Sequence, residues 1–104
     1  MSKVLFSIQY EILPEKRDEF LKVIRELKNL LKADGLESYN VFEVKGKPNS
    51  FQEQYTFSSM ETYEAFDDET NERVNLLVDK INEMAVDKST KYTTLVQLLD
   101  EQTS

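Results

Sequence analysis

The chain has 104 residues, with 13 Lys and Arg against 20 Asp and Glu and a formal charge of −7. That length suits one domain over residues 1–104, with its core at about 4–98; the acidic balance argues against nucleic acid as a partner, and no window holds the roughly 20 apolar residues that span a bilayer. Cys, His and Trp are absent, which excludes disulfides, thiolate nucleophiles, histidine triads, Cys/His zinc sites and haem held by His.

Met1 to Leu13 carries one lysine and then a run broken by Ser7, Gln9 and Glu11. It lacks the continuous apolar stretch and small-residue cleavage site of a secretory signal, so a cytoplasmic location is expected. Within this run Val4, Phe6, Ile8, Tyr10 and Ile12 alternate with Leu5, Ser7, Gln9, Glu11 and Leu13, the period of a strand. Pro14 ends it and suits the first position of a helix, where a missing N–H costs nothing.

From Pro14 to Asp34 the period lengthens. Phe20, Val23, Ile24, Leu27, Leu30 and Leu31 recur at three and four residues, which predicts an amphipathic helix. Gly35 is expected to stop it in the left-handed conformation, with Leu36 folding back on Leu31. Strands are predicted over Ser38 to Val44 and Phe51 to Ser58, joined by the loop Lys45 to Ser50. Ser58 and Glu61 have capping-box spacing for a short helix from Ser59 towards Phe66. After the acidic run Asp67, Asp68, Glu69, a second long helix places Val74, Leu77, Val78, Ile81 and Ala85 on one face. Lys91 to Leu99 reads as the last strand, and Asp100 to Ser104 as a polar tail.

The order β-α-β-β-α-β predicts an α+β fold of ferredoxin-like type, an antiparallel sheet with its helices on one face. Strand four carries Tyr92, Val96 and Leu98 on one side and Leu95 and Leu99 on the other, and strand two sets Tyr39 and Val41 against Phe42 and Val44. A sheet wetted on one side should alternate more cleanly. A second copy covering the helix-free face explains the pattern, so a homodimer is expected.

The run Tyr10 to Lys16 leading to Phe20, the ending Asp34-Gly35-Leu36, the segment Ser38 to Glu43, the strand Phe51-Gln52-Glu53-Gln54-Tyr55 and the turn and helix Ser59 to Phe66 together resemble the dimeric α/β-barrel superfamily. The chain is most similar to its antibiotic-biosynthesis-monooxygenase-like branch. That resemblance implies a dimeric barrel and a small-molecule ligand, with cofactor-independent oxidation of a phenolic or polyketide-like substrate as the activity. A non-catalytic binding protein of the same fold is the alternative. The family's Trp is replaced by Tyr55 or Phe57, and Phe66 stands where its His is expected. Haem degradation through an axial His is therefore excluded.

Glu53, Tyr55 and Phe57 share one face of the third strand. They form either a pocket wall, with Glu53 as the candidate catalytic base for a small aromatic ligand, or a packed core in which Glu53 is paired or solvated. Ser7, Gln9 and Glu11 line the more polar face of strand one. If that face looks into a dimer barrel, they either meet a ligand there together with Glu53 or its neighbours, or line a wet interior that holds none. Asn40 and Asn82 are amides able to hold an oxygenated ligand, Asn40 being the better placed. The acidic run at residues 67–69 lacks the alternation and glycine of a calcium loop, and the Lys45-Gly46-Lys47 tip lacks an aromatic partner for a phosphate site. Neither a metal nor an organic cofactor is expected.

Overall fold

A computed structural model describes residues 2–66 and 71–98. Strand β1 (Val4–Glu11) passes through a 3-10 turn at Pro14–Lys16 into helix α1 (Arg17–Leu30). Strands β2 (Leu36–Glu43) and β3 (Ser50–Phe57) form a hairpin, followed by the short helix α2 (Met60–Ala65), helix α3 (Glu72–Met84) and strand β4 (Lys91–Val96). The four strands make one sheet in the order β2-β3-β1-β4, every neighbouring pair antiparallel. This is the ferredoxin-like α+β arrangement that the element order implies.

Register sorts the side chains into two faces. Val4, Phe6, Ile8 and Tyr10 stand opposite Phe57, Tyr55, Glu53 and Phe51, and this face is covered by the helices. Phe20 of α1 meets Tyr10 edge-on at 5.8 Å and lies 4.5 Å from the Phe51 ring, centroid to centroid. Val23, Ile24 and Leu27 of α1 and Val74, Leu77, Ile81 and Met84 of α3 complete the core, as the helical period requires. On the other face Leu5, Ser7 and Gln9 stand opposite Thr56, Gln54 and Gln52.

Several local expectations are corrected. Helix α1 ends at Leu30, four residues short of Asp34, and Leu31 is already extended at φ −73° and ψ 107°. Gly35 (φ +81°) therefore does not cap the helix; it forms the turn into β2, where the Leu36 N–H donates to Ala33 O at 3.1 Å. The capping box lies one residue later than expected: Ser59 Oγ accepts from the Thr62 N–H, and Thr62 Oγ1 accepts from the Ser59 N–H, both at 3.2 Å. The second strand begins earlier, at Leu36, and the third ends at Phe57. Asp67, Asp68, Glu69, Leu99 and the tail at 100–104 lie outside the described residues. Among those described, no helix is long and apolar enough to cross a membrane.

Candidate functional site

Glu53 projects from the middle of β3 into the layer between sheet and helices and is only 4% exposed. A carboxylate so placed must be hydrogen-bonded, because burying an unpaired charge costs several kcal/mol. Tyr10 of β1 donates to Glu53 Oε2 at 2.5 Å, and Tyr39 of β2 donates to Oε1 at 2.7 Å. Each carboxylate oxygen thus accepts one phenol, and the two phenols come from the strands on either side of β3. Burial first, and then the adjacent Glu53 carboxylate, push both phenols well above their ordinary range, so they remain protonated donors.

The carboxylate lines a recess of about 80 Å³ together with Ile8, Tyr10, Tyr55, Val78, Ile81, Asn82, Thr90 and Tyr92. Tyr10, Glu53, Tyr55 and Ile81 are its buried part; Asn82 and Tyr92 are exposed at its edge. The site draws on all of β1, β3, β4 and α3, and on the turn before β4. Its chemistry is that of a buried, doubly hydrogen-bonded carboxylate beside aromatic and aliphatic walls. Such a group can accept a proton or a hydrogen bond from a molecule entering the recess.

The sheet separates the residues singled out from the sequence into two sets. Glu53 and Tyr55 line the recess, and Phe57 is on the same face but packs in the core, stacked at 6.3 Å on Tyr55 and edge-on at 5.3 Å to Phe66. Ser7 and Gln9 open on the helix-free face, in a shallow depression of about 180 Å³ with Gln52, Lys91, Thr93 and Leu95. They meet Gln54 and Gln52, the neighbours of Glu53, but not Glu53 itself. Glu11 is exposed at the end of β1. Asn40 lies at the β2 edge, its Oδ1 accepting from Lys28 Nζ at 2.6 Å. Asn82, ranked below Asn40 from the sequence, is the amide that reaches the recess.

Tyr10 and Tyr39 are the site residues that the sequence does not single out: Tyr10 reads only as part of the apolar face of the first strand, and Tyr39 only as one of the apolar groups on the two faces of strand two. A signal for them existed: a buried phenol seeks an acceptor, and Glu53 is a carboxylate of matching parity on the strand between them. Among the described residues no three His, Cys, Asp or Glu side chains gather as a metal site.

No family model matches the sequence, and a search of curated proteins finds no match either. Solved structures do match. A conserved protein from Methanosarcina mazei superposes with a TM-score of 0.75 at 18% identity, over 91% of this chain and 92% of that one. An antibiotic biosynthesis monooxygenase gives a TM-score of 0.67 at 23% identity, over 96% and 99%. A variant of SnoaB, a cofactor-independent oxygenase from Streptomyces nogalater, gives 0.73 at 9% identity, over 95% and 96%. The chain thus has the ferredoxin-like α+β fold of the antibiotic-biosynthesis-monooxygenase-like structures.

Proposed function

We propose that this chain binds a small phenolic molecule in the recess at Glu53, working as a homodimer joined through its helix-free faces, and that Glu53 takes the ligand's acidic proton. One observation carries the reading: a carboxylate buried to 4% exposure, with a phenol on each oxygen, lines an opening that reaches solvent. Polar groups held in place within a mainly apolar recess are the usual mark of a ligand site. The two phenols hold the carboxylate in one orientation, which is what a proton acceptor needs before its substrate arrives.

Deprotonation makes a phenol electron-rich enough to reduce dioxygen without metal or organic cofactor. The balance is one dioxygen consumed, one oxygen atom placed on carbon in exchange for two hydrogens, and one water released. The fold is compatible with such chemistry, since the cofactor-independent oxygenase above shares it, but fold alone does not assign a reaction. The recess volume of about 80 Å³ favours a second reading, a binding protein without turnover, because a fused-ring substrate exceeds that space.

Thermal-shift titration with phenol and hydroquinone, coupled to an oxygen electrode, separates the readings. A ligand that binds only the native state must raise apparent stability. A raised midpoint with oxygen uptake, both lost in Glu53→Gln, supports the catalytic reading. A raised midpoint without uptake supports the binding protein, and no rise with any phenol rejects both.

A further inference from the structure

Resting on the recess proposed above, we infer that it selects ligands by the charge of the head group that enters: a protonated amine is taken in preference to a hydroxyl, and a carboxylate is turned away. Tyr10 and Tyr39 each donate a phenol O–H to a different oxygen of Glu53, and donors on both oxygens favour the ionised form of a carboxyl group. On that geometry the buried part of the recess carries a negative charge. Of the nine described residues that line the recess, none is Lys or Arg, and three are tyrosines whose aromatic rings favour cations over anions. The formal charge of −7 for the whole chain acts in the same direction.

Asn82 and Thr90 can each donate to an anion, but Asn82 is exposed and Thr90 half-buried. Their hydrogen bonds compete with water, whereas the charge of Glu53 acts through a low-dielectric layer. Size sets the rest of the ligand. About 80 Å³ is roughly half of the 150 Å³ cavity that encloses benzene. A head group and its first carbon enter, and a ring rests against Tyr92 at the edge.

Benzylammonium, benzyl alcohol and benzoate share a ring and differ in the head, so they test the rule on the unmodified protein. Their dissociation constants are read at pH 7 from amide chemical-shift titrations, with the shifts of Ile8, Val78, Ile81 and Thr90 reporting the recess. Benzylammonium is expected to bind about tenfold more tightly than benzyl alcohol, and benzoate to leave those four signals in place. In Glu53→Gln the preference for ammonium over alcohol falls to about threefold or less; because the unmodified protein already gives the order, a variant that fails to fold does not decide the matter. Benzyl alcohol binding at the recess as tightly as benzylammonium, or benzoate binding there at all, overturns the charge rule while the recess itself stands. Silence from all three probes overturns the recess as well.

Discussion

Tyr39 and Glu53 are diagonal neighbours across the β2–β3 ladder: Tyr39 stands opposite Tyr55 and Glu53 opposite Val41, yet the Tyr39 phenol reaches Glu53 Oε1 at 2.7 Å. Diagonal positions are within reach of aromatic side chains, and Tyr10 makes the matching contact from β1. The carboxylate thus ties three strands together through side chains as well as backbone. Tyr39 does not line the recess, so its hydroxyl can be removed without altering the walls.

Tyr39→Phe should therefore lower stability by about 1.5–3 kcal/mol, the range for a hydrogen bond to a charged group. A shift of the urea midpoint with an unchanged slope checks this. A loss below about 0.5 kcal/mol, the level of an ordinary surface change, would mean that the phenol contributes packing alone.

Arg17 holds Glu43 in a fork, Nη1 to Oε2 at 2.7 Å and Nη2 to Oε1 at 2.9 Å, while the Asn49 N–H also donates to Oε2 at 2.9 Å. The Arg17 hydrogen bond, and then that backbone N–H, lower the Glu43 carboxyl from 4.5 to about 2. Between those values the unfolded chain binds more protons than the native one, so stability rises with pH there. The contribution is complete above about 4.5 and disappears as pH falls through about 2. Glu43→Gln should accordingly be less stable than the parent at neutral pH, with the gap closing in acid. Arg17→Lys should behave similarly, because an ammonium cannot reproduce the fork. Denaturant midpoints from pH 6 to pH 2 measure both.

Gly35 and Gly46 both have positive φ, +81° and +85°, but only one is crowded. A Cβ at Gly35 would stand 2.2 Å from Thr62 Cγ2, whereas nothing lies within 4 Å of one at Gly46. Thr62 cannot easily retreat, since its Oγ1 both accepts from the Ser59 N–H and donates to Ser59 O in the α2 cap. Gly46→Ala should cost about 1–2 kcal/mol for the left-handed backbone alone. Gly35→Ala should cost a further 1–3 kcal/mol or so for displacing α2. Equal losses in paired urea titrations would rule out the steric contribution.

The alternation of β1 and β3 and the stripe on α1 were legible in the sequence because burial follows backbone period directly. The end of α1 was not, because Leu31 is buried in the core although its backbone is extended. Hydrophobic spacing reports burial, not dihedral angles. Ser58 and Ser59 precede Glu61 and Thr62 at equal spacing, so spacing alone could not choose the cap. The candidate site was half legible for a related reason. The shared face of Glu53 and Tyr55 lies within one strand, but the phenols that bind Glu53 come from two others. Their parity depends on register, and a slip of one residue would have placed Ser7 and Gln9 beside Glu53 instead.

Phe42 and Leu95 mark opposite edges of the helix-free face, on β2 and β4, and are 54% and 53% exposed. Between them lie Leu5 and a polar field that includes Ser7, Gln9, Gln52, Gln54 and Thr56, with Lys91 of β4 beside Gln9 as a charged member. Apolar groups at the margins gain from being covered, by about 25 cal/mol for each Å² removed from water. Amides carry donor and acceptor together, so the same field can satisfy itself across a two-fold axis. Light scattering at micromolar concentration should therefore give twice the chain mass of 12.2 kDa. Leu95→Glu should return one chain mass, because it sets a charge beside its own copy in a partly dried interface. Each chain carries −7, so added salt should tighten the parent dimer by screening repulsion. A parent mass near 12.2 kDa would leave Phe42 and Leu95 as ordinary exposed residues, and the homodimer would fall.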